Sequence, residues 1–203
     1  MAQNTKTVRL YRTGPIKYWT GRVLLGLFGW QALGEVPPSG KFVLVGAPHT
    51  SNWDFPLAIA ASFVYRIRIH WLGKDALFRW PYGWLMRMLG GIPVDRSHPQ
   101  GMVGQLKHQF DISNNLIIVI AAKGTRKKTQ YWKSGFYWLA YFAQVPILCS
   151  YYNYEKKQLH IGECIMPSGD VKKDMEILRG FFADMRGKYP QLEDTIRLKE
   201  EDE

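Results

Sequence analysis

Cysteine is nearly absent from this chain, with Cys149 and Cys164 the two examples in 203 residues. Two thiols make no disulfide framework, and neither stands at the spacing of a zinc site. The histidines give no second route to a metal, because His70, His98, His108 and His160 are scattered without a ligand pattern. No metal and no cofactor are therefore expected. Acidic side chains are also in short supply, 17 against 27 Lys plus Arg, which leaves a net charge of +10. Long apolar runs are missing too: the longest uncharged stretch near the N-terminus, residues 23–33, is too short to span a bilayer. No repeat or low-complexity tract breaks the sequence, and a hydrophobic content of 46% suits one globular domain with a substantial core.

Against these absences stands one dense segment, Gly46-Ala47-Pro48-His49-Thr50-Ser51-Asn52-Trp53-Asp54-Phe55-Pro56. Residues 42–47 (FVLVGA) read as a buried strand, which Pro48 ends because it has no N–H for the ladder. His49 then falls in a turn at the carboxyl end of that strand, where open α/β sheets place their ligand sites. On one continuous helix, residues five apart would point about 140° away from each other. His49 and Asp54 are thus expected on different elements, with Pro56 in the first turn of a helix that starts near Asp54 or Phe55. A loop that doubles back would let Asp54 fix the histidine tautomer and stabilise its imidazolium. The competing reading makes Asp54 a helix cap and His49 an ordinary loop residue.

Three further blocks end strands with chemistry of one kind. Residues 90–96 (GGIPVDR) close a short apolar stretch with Arg96. Residues 116–122 (LIIVIAA) form a buried strand that empties into Lys123-Gly124-Thr125-Arg126-Lys127-Lys128, and residues 145–150 (VPILCS) form another, opened by Pro146. Cations and a glycine turn at strand ends suit an anion, since guanidinium matches phosphate oxygens and glycine lets the backbone approach.

The four blocks, in this order and at these intervals, resemble the 1-acylglycerol-3-phosphate (lysophosphatidic acid) acyltransferase family, in its small bacterial form. That family's signature is H-x4-D, a basic block ending in Arg, E-G-T-R and then V-P-I, and the likeness runs over residues 42–150. The resemblance implies transfer of a fatty acyl group from a thioester donor, acyl-ACP or acyl-CoA, to the hydroxyl of a lysophospholipid such as lysophosphatidate. It makes His49 the general base and Asp54 its partner. It assigns the acceptor's phosphate to Arg96, Lys123, Gly124, Thr125 and Arg126, and the acyl side to Val145, Pro146 and Ile147. One position departs from the pattern: the family's glutamate is Lys123 here, preceded by Ala122 where a proline is usual. An ammonium only donates hydrogen bonds, so a catalytically altered member with a lipid- or nucleic-acid-binding role is the alternative. A nucleic-acid module built on residues 123–133 (KGTRKKTQYWK) matches no named recognition fold and leaves His49, Asp54 and Arg96 unexplained, so no nucleic acid is expected.

The N-terminal stretch, residues 8–30, alternates cations with Trp, Phe and Leu in the manner of an interfacial anchor on an anionic membrane. A signal peptide is the rival reading, disfavoured by the length of chain before the apolar run and by its tryptophans. A helix packed on the domain is the third reading, compatible with the first. The expected division is a membrane-associating segment over 1–34, an acyltransferase domain over 35–190 and an acidic tail over 191–203, disordered at residues 200–203. The protein would act peripherally on the cytoplasmic face of the inner membrane. Alternating patterns predict helices over 55–65, 75–89 (interrupted near Pro81), 100–110, 135–143 and 170–186, with further strands over 66–72 and, at an edge, 158–164. The apolar residues Phe78, Trp80, Tyr82, Trp84, Leu85, Met86, Met88 and Leu89 suit a core helix, an acyl groove or a membrane contact. The fold class that follows is α/β, a layered domain with a mainly parallel central sheet flanked by helices.

Overall fold

A computed structural model describes residues 13–94 and 99–202. The chain runs α1 (Pro15–Leu27), β1 (Gln31–Leu33), β2 (Lys41–Ala47), α2 (Asp54–Val64), β3 (His70–Lys74), α3 (Gly83–Met88), β4 (Gly91–Val94), α4 (Pro99–Ile112), β5 (Leu116–Ala121), α5 (Gly135–Ala143), β6 (Ile147–Asn153), β7 (Gln158–Ile165) and α6 (Val171–Phe182). Short 3-10 turns lie at Asp75–Phe78, Pro190–Leu192 and Lys199–Asp202. The strands form one sheet in the order β1-β7-β6-β2-β5-β3-β4. Every pairing is parallel except β6 with β7. The α/β fold with a mainly parallel sheet is the one the sequence pattern predicts.

Strand β2 lies at the centre, hydrogen-bonded to β5 on one side and β6 on the other. Its apolar run divides between the two faces by the two-residue period of a strand. Val43, Val45 and Ala47 pack under α4, α5 and α6 through Leu106, Phe110, Phe136, Leu139, Met175 and Leu178. Phe42 and Leu44 face the other way, toward Ile67, Ile69, Ile117 and Leu148. Helices α1 and α2 cover that second face through Leu25, Leu57, Ala60 and Ala61. They approach closely because Gly21 has no side chain: an added Cβ would stand 2.5 Å from the Ala60 carbonyl oxygen.

Several boundaries differ from expectation. The strand expected over 66–72 begins at His70, because Arg66 adopts a positive φ of 59° in the turn that closes α2. The interruption expected near Pro81 in the helix over 75–89 is present, with a 3-10 turn before it and α3 after it, and its aromatic residues part company. Phe78 is buried, whereas Trp80, Tyr82, Trp84 and Met88 are exposed, so these four are surface and not core. Strand β7 is not an edge, since Gln31–Leu33 adds a parallel strand outside it, with Gln31 opposite Gln158. The acidic end is structured over residues 200–202: Glu201 accepts from Arg179, Asp202 pairs with Arg197, and Glu200 accepts from Trp138 Nε1. Buried Leu198 anchors this turn to the core, which is why the acidic composition does not leave it loose. Glu203 lies outside the described residues.

Candidate active site

At the end of β2 the chain turns through Pro48 and His49 and enters α2 at Asp54. Residues 49–54 therefore form a loop followed by a helix start, as the five-residue spacing requires. His49 Nδ1 lies 3.1 Å from Asp54 Oδ2. The same oxygen accepts the Thr50 and Ser51 N–H groups, each at 3.0 Å. Asp54 Oδ1 accepts the Tyr154 hydroxyl at 2.7 Å, and the Asp54 carbonyl accepts the Tyr152 hydroxyl at 2.9 Å. Asp54 does not cap its helix by a side-chain bond, since Trp53 holds the N-cap position. Its carboxylate instead closes the loop on itself and holds the imidazole.

Asp54 is 2% exposed, while the His49 side chain is open to 25%. A carboxylate this deeply buried is stabilised by its two amide donors, the tyrosine hydroxyl and the positive end of α2. The two tyrosines stay protonated as donors. Burial pushes the Tyr154 hydroxyl far above its ordinary range, with the hydrogen bond and the charge of Asp54 adding to it. Burial raises Tyr152 likewise, followed by the charge of Asp54. With Nδ1 turned to the carboxylate, the geometry assigns the ring proton to Nδ1 and leaves Nε2 as the basic nitrogen.

The strand next to β2 ends in the second loop. After β5, Gly124 takes φ 65°, a left-handed conformation that glycine adopts without a Cβ penalty. Gly124 and Arg126 are exposed and Thr125 is half-buried. Lys123 is not on that surface: it is 3% exposed, and its ammonium donates to the Leu192 carbonyl at 2.5 Å and pairs with Asp194 Oδ2 at 3.2 Å. Asp194 in turn accepts the Thr129 N–H at 2.6 Å and the Thr129 hydroxyl at 2.9 Å. A small cavity joins the two loops, lined among others by Pro48, His49, Lys123, Trp132, Met185 and Asp194.

Three expected residues lie elsewhere. Val145 and Ile147 are buried in the core beneath α5 and α6. Ile147 sits opposite Val43 in the ladder while Tyr151 sits opposite Ala47, so this block enters the sheet about 13 Å below Ala47, the end of β2, at 3.3 Å per residue. Val145, Pro146 and Ile147 thus lead into β6 at the opposite end of the strands from His49. Arg96 lies outside the described residues. Conversely, Tyr154, Tyr152, Thr129 and Asp194 belong to the site although no spacing in the sequence singled them out. Among the described residues, no group of three His, Cys, Asp or Glu is arranged to hold a metal ion.

Helix α1 flanks this end of the sheet with a second, uncovered face. Ile16, Trp19, Val23 and Leu27 recur at helical spacing and are exposed, as is Phe28. Phe28 lies 6.2 Å from the Trp53 ring, beside the His49 loop. Among the described residues, no helix is long and apolar enough to cross a membrane.

A mainly parallel α/β sheet thus carries a histidine–carboxylate pair at the end of its central strand, beside a basic glycine turn. The Acyltransferase family model matches residues 31–153, more than half of the chain. The chain belongs to that family and is an acyltransferase. Its fold is similar to that of the 1-acyl-sn-glycerophosphate (LPA) acyltransferase PlsC from Thermotoga maritima, with a TM-score of 0.56 and 19% identity over 83% of this chain and 74% of that one. A search of curated proteins finds no match.

Proposed function

We propose that the protein moves a fatty acyl group from an acyl thioester, acyl-ACP or acyl-CoA, to the hydroxyl of a lysophospholipid such as lysophosphatidate. The observation that carries this reading is the His49–Asp54 pair at the head of β2, with Nδ1 held at 3.1 Å. Nε2 takes the proton of the acceptor hydroxyl as its oxygen attacks the thioester carbonyl. The tetrahedral intermediate then expels the thiolate, which recovers a proton from the imidazolium. Asp54 stabilises that cation while it exists, and the site needs no covalent acyl-enzyme.

The acceptor's phosphate is read by the exposed turn of Gly124, Thr125 and Arg126, together with Arg96. The guanidinium offers a bidentate fork and the glycine turn a close backbone approach. Lys123 stands at the base of this turn with its charge already matched by Asp194. The exposed face of α1, with the net charge of +10, suits peripheral binding to an anionic bilayer at the cytoplasmic face of the plasma membrane. It would bring the His49 loop to the lipid layer that holds the acceptor.

Purified protein given an acyl thioester and a panel of lysolipids, read by mass spectrometry, tests the reaction. A new acylated lipid that disappears in His49→Ala supports it, and transfer unaffected by that change overturns it. Vesicle flotation with Trp19→Glu and Leu27→Glu tests the membrane face. Each substitution is expected to weaken binding to anionic vesicles roughly tenfold, the scale of one large apolar side chain withdrawn from the bilayer.

A further inference from the structure

After α6 the chain returns across both loops of the site. At Gly187 an added Cβ would lie 2.7 Å from Thr50 Oγ1 and 3.2 Å from Pro48 Cγ. The Tyr189 N–H donates to the same Thr50 hydroxyl at 3.4 Å, and the Lys188 ammonium lies 5.3 Å from the centre of the Trp53 ring. A few residues later the Leu192 carbonyl and Asp194 carboxylate receive Lys123. Further on, the Arg197 carbonyl accepts the Trp132 N–H at 2.8 Å. One segment therefore touches the His49 loop with residues 187–189 and the Lys123 loop with residues 192–197.

We propose that residues 187–198 are a strap that sets the position of the two loops relative to each other, and that Lys123 and Asp194 are the positioning residues that latch it. This role for Lys123 replaces direct contact with the acceptor's phosphate, and it rests on the acyltransferase reading of the site. The Lys123 side chain is 3% exposed and that of Asp194 is fully buried, so each charge depends on the other for compensation. Lys123 and Asp194 also line the same cavity as His49. The acceptor must place its hydroxyl at Nε2 of one loop while its phosphate sits on the other. Attack needs reacting atoms within about 3 to 3.5 Å, so a shift of one loop against the other removes the reactive geometry while leaving the phosphate contacts of Gly124, Thr125 and Arg126 in place.

The test uses the full chain with Lys123→Glu, Asp194→Lys, the two reversals combined, and Asp194→Asn. Acyl transfer from oleoyl-CoA to lysophosphatidate gives kcat and the acceptor KM, thermal unfolding is followed in parallel, and hydrogen exchange reads the Tyr189 and Trp132 amides. Each single reversal is expected to lower kcat about tenfold or more with the acceptor KM changed less than about threefold. The combined reversal is expected to recover only part of kcat, because a carboxylate at position 123 cannot donate to the Leu192 carbonyl and an ammonium at position 194 cannot accept the Thr129 N–H. Asp194→Asn keeps the shape of the side chain and serves where a reversal misfolds. It should lower kcat in the same way and speed exchange at both amides.

A Lys123→Glu protein as active as wild type overturns the proposal. So does a rise in KM with kcat retained, the signature of a lost phosphate contact. A fall in melting temperature with full kcat at lower temperature also overturns it. Should wild type and His49→Ala both transfer nothing, the acyltransferase reading fails by itself. Exchange in Asp194→Asn then decides the strap: faster exchange at Tyr189 and Trp132 together supports it, and unchanged protection rejects it.

Discussion

The two loops that meet at this site leave neighbouring parallel strands and bury a carboxylate each, yet they are built on opposite plans. The His49 loop gets its acid from five residues further along the chain, and two amides of the same loop bind that acid. The Lys123 loop takes its acid from the C-terminal segment, and the bonds around it span 65 and 69 residues. A loop closed locally forms with the helix that follows it. A loop closed from a distance is complete only when the last part of the chain has docked.

The His49 loop should show the largest effect on chemistry. Replacing His49 by Ala removes the base and is expected to lower kcat by roughly 10²- to 10⁴-fold, with the melting temperature nearly unchanged because the ring is partly exposed. Asp54→Asn should lose rate on a similar scale, since the amide supplies no charge to the imidazolium. It should also lower stability, because three donors then face a neutral side chain. A rate loss in Asp54→Asn below about tenfold would mean that the pair is not the working couple.

Much of the first loop was legible from residue order alone. Proline ended the strand, a second proline set the helix start, and the five-residue spacing kept His49 and Asp54 off one helix. The central strands were equally readable, because buried parallel strands are continuous apolar runs such as residues 42–47 and 116–121. Long-range closure was not legible. Asp194 lies in a segment that reads as a solvated acidic tail, and only docking turns it into the counter-charge of Lys123. Tyr154 was hidden for the same reason, since it reaches Asp54 from the turn after β6. The block at residues 145–147 carries a second signal, since its apolar character also marks the entry to a core strand.

Tyr154→Phe sharpens the contrast, because it removes a contact that reaches Asp54 across 100 residues. Without the hydroxyl, negative charge on Asp54 concentrates on the oxygen facing His49. The change is expected to alter kcat through the His49–Asp54 pair. The native state holds Tyr154 protonated far above its ordinary value of 10.0, through burial and then through Asp54. A group whose pKa is raised by folding contributes stability that is complete below the unfolded value and is lost as pH rises through the folded one. Wild type should therefore lose stability above about pH 10, and Tyr154→Phe should show a shallower alkaline decline in urea unfolding. An unchanged kcat would separate Tyr154 from the base.

Thr129→Val is the mildest change and acts on the distant loop alone. It deletes the hydroxyl that reaches Asp194 at 2.9 Å while the Thr129 N–H remains bonded at 2.6 Å. Loss of one hydrogen bond to a buried charge is expected to cost about 1.5 to 3 kcal/mol, less whatever the second donor recovers. Asp194 keeps Lys123 as its partner, so kcat should fall less than it does in Asp194→Asn. Chemical unfolding measured beside kcat checks both parts. A loss of kcat as large as that of Asp194→Asn would show that the orientation of the carboxylate, and not its charge alone, holds the two loops in register.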